Sequence, residues 1–485
     1  MSSIGSPSPF FLAGKKKAYE VERSLRFNTT DQTVLTKSLS TSPTNRKKTT
    51  LSFWFKKSKL SSGQGVIVSG ASGTGGSATG TRIYLNSDDT FIVDTAVNNS
   101  AVWGLNTTRK FRDPSAWIHF CMSLDTTQST ASDRVKIYFN GVQETSFSSA
   151  SYPSQDYDDI WAYGNYRIGD YGGDYGYYYG YNSYIAEVIT IDGQALDPSS
   201  FTETDATTGQ LVPKDPSGLT FGTNGFHLKF ADNSGTTATT LGKDSSGNGN
   251  NFTPNNFSVA AGAGNDSLED TPTNNFATIN PLAGYSTNFV STSNGNLDFT
   301  MANNHWAIST FTIPASGKWY FECVYTDVQS GDVSVFNPNM INDDSNSFDG
   351  RWNGIAFSHG EIRVDNTPVQ SSLTSLANNT IYGILIDRDA GTVSFSIAGS
   401  VEGSAVNISS MTDSSTLSIV NRRQSSSGTN PIGSQNYGQR PFSHLPTGYK
   451  ALSSANLPDP TIKIPNKHFE ARTYTGTATG SGTQT

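Results

Sequence analysis

The sequence predicts an all-β protein built as two β-sandwiches, and three observations carry that expectation. In the first, Ile118, Phe120, Met122 and Leu124 alternate with Trp117, His119, Cys121 and Ser123, the period of a strand with one face in a core. After a polar loop, Val135, Ile137 and Phe139 alternate again and the run stops at Asn140-Gly141. That dipeptide suits a turn needing positive φ at both central residues, so the chain doubles back there. Such a hairpin exposes an apolar face that needs a second sheet over it. The second observation is that the pattern returns at 380–400, as an alternating strand, Asp387 and Asp389, a tight turn at Ala390-Gly391 and another alternating strand. The third is composition: 34% hydrophobic and 15% charged residues with 46 glycines fit strands buried on alternate positions and ended by turns.

A length of 485 residues accommodates two sandwiches of roughly 200 residues each plus connecting segments. The 27 Phe, 21 Tyr and 7 Trp are far too many aromatic residues for a disordered chain. Net charge is −8, from 33 basic and 41 acidic residues, without a long basic block; nucleic-acid binding needs clustered Lys and Arg and is not expected. Cys121 and Cys323 lie in predicted strands far apart and read as buried thiols. No apolar run reaches the roughly 18 residues of a membrane span. The opening MSSIGSPSPFFLAGKKK places its charges after a short apolar patch, the reverse of a secretory signal, so synthesis in a cytoplasm without export by that route is expected.

In chain order, residues 1–20 form an N-terminal arm. Its Phe10, Phe11 and Leu12 are either part of a disordered terminus or a patch that docks on a partner. The first sandwich is expected over 21–204, with strands at 24–28, 51–55 (Leu51, Phe53 and Phe55 inward, Trp54 opposite), 65–70 and 82–96, the last a hairpin turning at Ser87-Asp88-Asp89. Asp197-Pro198 is a good start for a short helical turn. Residues 205–274 are a Gly/Asn/Thr-rich connector containing Asp244 to Asn250, whose Gly247 and Gly249 suit a turn-rich corner. The second sandwich is expected over 275–455, with Trp319, Phe321, Cys323 and Tyr325 on one strand face and Gly317 in the turn before it. A tail, 456–485, follows.

The order Trp, His, alternating strand, Asp, loop, strand, Asn-Gly in 117–141 resembles the centre of a laminin-G-like, concanavalin A-type jelly roll. YIAEVITIDGQALDPSSF (184–201) resembles that family's closing segment, and DSSGNGN (244–250) resembles another of its signatures. Here the latter follows a sandwich instead of preceding one, and it is expected as an extra strand pair against either domain. The half from 275 resembles a SPRY-type domain of the same concanavalin-like architecture, with Ala398-Gly399 where the family usually has Asn-Gly, so that its closing turn is expected to differ. These resemblances imply two concanavalin-like jelly-roll β-sandwiches.

The most unusual composition is GDYGGDYGYYYGYN, 169–182. Tyr171, Tyr175, Tyr177, Tyr178, Tyr179 and Tyr181 supply rigid rings with a polar tip among pliable glycines, chemistry suited to sugar faces or a protein contact surface. The alternative is packing of the rings on their own sandwich or on a neighbouring subunit. Asp170 and Asp174 are a weak calcium pair, since that ion wants several oxygen ligands; otherwise no metal or cofactor is expected. The six histidines are scattered, without metal-ligand spacing, and no nucleophile elbow or phosphate-binding loop is present. Asp387 and Asp389 could serve as a glycosidase pair, but their place beside a tight turn reads as solvated turn acids, and Glu187 stands alone in its strand. No enzyme is expected.

Taken together, the laminin-G-like half, the DSSGNGNN corner and a SPRY-like half ending NYGQRPF…PTGYKAL…NLPDPTI resemble virion proteins of tailed bacteriophages, especially marine ones. That resemblance implies a non-enzymatic tail fibre or receptor-binding appendage, with a capsid decoration or head-fibre protein as the alternative and a polysaccharide depolymerase third. It further implies assembly into the virion in a host cytoplasm, other virion proteins as partners, a homo-oligomer with a trimer favoured, and contact with a host-surface glycan.

Overall fold

The computed structural model describes residues 19–72, 79–170, 180–285, 288–302, 305–340, 353–423, 429–458 and 462–464. The chain is almost wholly β, 46% strand and 4% helix, and among the described residues no helix is long and apolar enough to cross a membrane. The first sandwich packs two eight-stranded antiparallel sheets. One runs, edge to edge, through Val142–Gln143, Val135–Phe139, Trp117–Asp125, Lys48–Lys57, Ser183–Asp192, Ser24–Arg26 and Ser267–Leu268, with Phe226–Leu228 also paired to Ser183–Asp192. The other runs through Phe147–Ser151, Ser100–Lys110, Thr90–Val97, Thr79–Leu85, Gln64–Ser72, Gly164–Ile168, Val34–Leu39 and Thr253–Asn255.

Alternation does place Leu51, Phe53, Phe55, Phe120, Met122, Leu124, Val135, Ile137 and Phe139 in one inner core. The opposite face is not solvated, however. Trp54 and Trp117 pack into the core of the second sandwich, while Cys121 is covered with Ile189, Ile191, Phe201 and Phe221. The expectation of one buried face is corrected to two, because the segment after residue 192 folds over one half of this sheet and the second sandwich covers the other.

Residues 205–274 are no loose connector. Three strands from that stretch, Phe226–Leu228, Thr253–Asn255 and Ser267–Leu268, pair with strands of the first sandwich, which decides which domain they complete. At the corner, the Asp244 carboxylate accepts from the backbone of His227, Ser246 and Asn250 at 2.8–2.9 Å. Asn248 and Asn250 donate back to the Gly222 and Gly225 carbonyls. Gly247 and Gly249 adopt φ of 93° and 72°, as a corner this tight requires. Asp197 caps the short turn Pro198–Ser200 by accepting from Ser199 N at 2.8 Å.

The second sandwich packs a seven-stranded sheet, which contains Lys318–Asp327, Ile381–Asp387 and Thr392–Ile397, on a six-stranded one, which contains Trp306–Ile313, Val333–Phe336 and Leu417–Arg422. Trp319, Phe321, Cys323 and Tyr325 all face its core. The two sandwiches share one continuous apolar cluster, to which Val21, Trp54, Trp117, Tyr184, Ala186 and Leu268 contribute from the first. Polar groups cross the same seam: Tyr184 OH donates to Gly295 O at 2.6 Å and Asn275 Nδ2 to Ser115 O at 2.8 Å.

The closing turn of the second sandwich does not differ from that of the first. Ala398 and Gly399 have φ of 47° and 84°, against 49° and 78° for Asn140 and Gly141, and Ile397 pairs with Ser400 as Phe139 pairs with Val142. Ladder geometry imposes the turn whichever residue occupies it, so Ala398 carries the left-handed strain that asparagine tolerates. Its side chain is exposed. Ala398→Asn is therefore expected to stabilise the protein by about 0.5–1 kcal/mol, read as a higher urea midpoint; an unchanged or lower midpoint counts against a strained turn.

Candidate functional site

On the outer face of the second sheet of the first sandwich, three strands and the DSSGNGNN corner leave an open polar groove of about 470 Å³. Strand register builds it: Thr36 pairs with Arg167 and Ser38 with Asn165, so these four share the face opposite Leu35, Leu39 and Ile168, which are buried in the core. Thr253, paired with Thr36, and Asn251 close one side; Lys37 and Tyr166 complete the lining. Ser38 Oγ donates to Asn165 Oδ1 at 2.5 Å. The Arg167 guanidinium is held by two bonds to Asp170 Oδ2, at 2.7 and 3.2 Å. Hydroxyls, amides, the Lys37 side chain and one oriented guanidinium make a surface able to hydrogen-bond a hydroxyl-rich ligand.

The described residues on either side of 171–179 lie beside this groove. Asp170 bridges Gly180, and Tyr181 N donates to Gly169 O at 2.7 Å, which brings these flanking residues together next to Arg167. Tyr171, Tyr175, Tyr177, Tyr178 and Tyr179 lie outside the described residues, as do Phe10, Phe11 and Leu12 of the arm and Asp174. Tyr181 is described and its expected place on a contact surface is corrected: it is fully buried, edge-on to Phe27 at 5.9 Å. It resumes the strand pattern after the stretch, so its ring falls inward. Asp170 is also fully buried and engaged by Arg167. Among the described residues no group of three or more His, Cys, Asp or Glu is placed to hold a metal ion.

The acids considered for catalysis have structural partners. Asp387 accepts from the backbone of Asp389 and Ala390 and pairs with Lys318 at 2.9 Å; the Ala390 and Lys318 bonds hold its carboxyl below the usual range. Asp389 accepts from Gly317 N at 2.8 Å. These are turn acids.

Glu187 is more interesting than its isolation in sequence implied. It sits at a ladder irregularity with φ of 51°, accepts from Tyr19 OH at 2.8 Å and lies 2.9 Å from His227 Nε2. Burial, then the neighbouring Glu187 charge, pushes the Tyr19 phenol well above its ordinary value. The carboxylate has only 5% of its side chain exposed, so this cluster clamps the chain at Tyr19 onto the sheet. Cys121 and Cys323 are buried free thiols, pushed up by burial, and so far from the thiolate form that reacts.

Residues 28–188 match the family profile described as the concanavalin A-like lectin/glucanases superfamily. The matched span contains most strands of both sheets of the first sandwich, including the Asn165 and Arg167 side of the groove. No curated protein sequence matches the chain. Among solved structures, a putative carbohydrate binding protein from Bacteroides ovatus is 14% identical, with a TM-score of 0.34 over 50% of this chain and 60% of its own. The SPRY domain of human HERC1 is 15% identical, with a TM-score of 0.26 over 32% and 94%. A native heptameric SAP-like pentraxin from Limulus polyphemus is 17% identical, with a TM-score of 0.28 over 37% and 80%.

Sequence reasoning missed the groove. Thr36, Ser38, Asn165, Arg167 and Thr253 are outward positions of ordinary alternating strands. Only the pairing of 34–39 with both 164–168 and 253–255, across more than a hundred residues, gathers them.

Proposed function

We propose that this chain is a non-enzymatic binding and structural protein of a tailed-phage particle, a tail-fibre or receptor-binding component that contacts host-surface glycans through the first sandwich. The observation that carries the binding half of this reading is the polar groove, with Arg167 oriented by Asp170 amid hydroxyls and amides. The virion half rests on the sequence resemblance across both domains. Oriented polar groups on a rigid sheet discriminate a ligand by hydrogen bonds, and the engagement of Asp387, Asp389 and Glu187 in structural contacts supports binding without turnover.

Filling the groove tests the first half. Thr253 is exposed on an edge strand, so Thr253→Trp is expected to leave the fold intact and lower the affinity for host envelope polysaccharide at least tenfold, about 1.4 kcal/mol, by calorimetry. Unchanged affinity removes the groove from the reading, and release of reducing sugar by the purified protein replaces it with a depolymerase. Antibody labelling of purified particles separates the virion assignments: signal confined to the capsid replaces the fibre with a decoration or head-fibre protein, and unlabelled particles end the virion reading.

A further inference from the structure

Sheet edges are templates for pairing with another chain, and natural proteins guard them. Most edges of the four large sheets carry such a guard. Val142–Gln143 and Ser267–Leu268 have only two residues each, and Ser291–Ser293 has three. Thr253–Asn255 contains Pro254 and Thr367–Gln370 contains Pro368, which remove a donor from the edge. Ser400–Asn407 carries Glu402 and a register break, with Gly403 at φ of 70°. Trp306–Ile313 is covered by residues 278–280, through Asn280 N to Ile308 O and Thr310 N to Thr278 O, both 2.7 Å.

Phe147–Ser151 is different. It is the outermost strand of its sheet, it contains neither charge nor proline, and Ser148 to Ser151 are all exposed. Its irregularity lies at Phe147/Ser149, leaving Ser149, Ala150 and Ser151 in regular register with Leu105 and its neighbours. The adjoining edge of the opposite sheet, reached by the same stretch of chain, carries Val142 at 65% exposure. From Asn140 to Tyr152 the one charged residue is Glu144, and its side chain is 9% exposed against Arg109 at 3.6 Å.

We propose that this side of the first sandwich is a homodimer interface, in which Phe147–Ser151 of a second copy adds antiparallel to its own equivalent and joins the two sheets. A second copy is the occupant this chemistry favours. The strand meets itself without like-charge repulsion, and Ser and Ala fit opposite their own symmetry mates on either face. A foreign peptide added to an edge draws its specificity from side-chain pockets along that edge, and a row of Ser and Ala offers none. A two-fold pairing also closes on itself, leaving no free copy of the edge for runaway association.

Sedimentation of the full chain tests this. The wild type is expected to dimerise with rising concentration, and both Ser149→Lys and Ala150→Pro are expected to stay monomeric with circular dichroism unchanged. Ser149→Cys should form an intermolecular disulfide, because residues opposite one another across an antiparallel ladder lie roughly 4.5–5.5 Å apart at Cα, within disulfide reach. Ser400→Cys, on an exposed strand of the second sandwich, should not, and the buried native thiols do not compete. A wild type that remains monomeric overturns the proposal, as does an oligomer that survives both edge substitutions. An oligomer cross-linked through Ser400→Cys instead overturns it in favour of a different interface.

Discussion

Asp270→Ala is expected to destabilise the protein by about 3–5 kcal/mol, the cost of leaving a buried charge without its partner. Lys56 lies at the seam between the sandwiches. Its ammonium donates to Asp270 Oδ2, Asn275 Oδ1 and Phe276 O, each at 2.8 Å, and both charged side chains are 0% exposed. Trp117 Nε1 donates to the other Asp270 oxygen at 2.9 Å. Burial pulls the Lys56 pKa down, and Asp270 is the chief group opposing that pull. Alanine would remove the compensating charge and orphan the Trp117 donor in the same step. The double variant Lys56→Met/Asp270→Asn removes both charges and keeps an acceptor for Trp117, so it is expected to recover most of the loss. Urea unfolding of the three proteins measures this. A single-variant cost under about 1 kcal/mol would show that water reaches the pair and that the seam is not closed in solution.

A second large effect belongs to His119. Its Nε2 lies 2.8 Å from Ser52 Oγ, its ring packs at 5.0 Å from Trp54, and Nδ1 has no hydrogen-bond partner among the described residues. Burial alone lowers its pKa from 6.5 to about 3. The unfolded chain therefore takes up a proton below pH 6.5 that the folded one refuses until about pH 3. Stability from this group is complete above the unfolded value and is lost progressively as pH falls between the two. At pH 4.5 the loss is about 3 kcal/mol, two pH units at 1.36 kcal/mol each. His119→Gln can keep a bond to Ser52 and does not titrate, so its stability should fall less steeply from pH 6.5 to 4.5, by roughly that amount. Parallel curves for the two proteins would falsify the assignment of this acid sensitivity to His119.

Much of the fold was legible because strands announce themselves locally. Alternation located the strands at 51–55, 117–124, 135–139 and 319–325, and Asn140-Gly141 announced a turn whose positive φ values follow from its residues. The DSSGNGN corner was equally readable, since Asp244 accepts from Ser246 and Asn250 a few residues on and Gly247 and Gly249 supply the positive φ between them. Ala398-Gly399 marks where that legibility stops: the residue pointed away from the turn, and the ladder on either side imposed it. Tyr181 failed as a surface residue for a related reason, because membership of a tyrosine-rich stretch said less about its ring than its return to strand register.

The candidate site was scarcely legible. Its residues come from 36–38, 165–167 and 251–253, and no local pattern separates them from other solvated strand positions. By itself the sequence determined that the chain is all-β, where its most strongly alternating strands and their turns lie, and that two similar sandwiches follow one another. Each of those depends on side-chain period and turn preference within about ten residues. Only the tertiary structure decided that 226–268 completes the first sandwich, that both faces of the Trp117 strand are buried, and that Lys56 meets Asp270 in a closed seam. It also decided which sheet edge carries neither charge, proline nor a covering segment among the described residues. These depend on register and docking between segments more than 200 residues apart in the chain, where burial of whole faces outweighs any local preference.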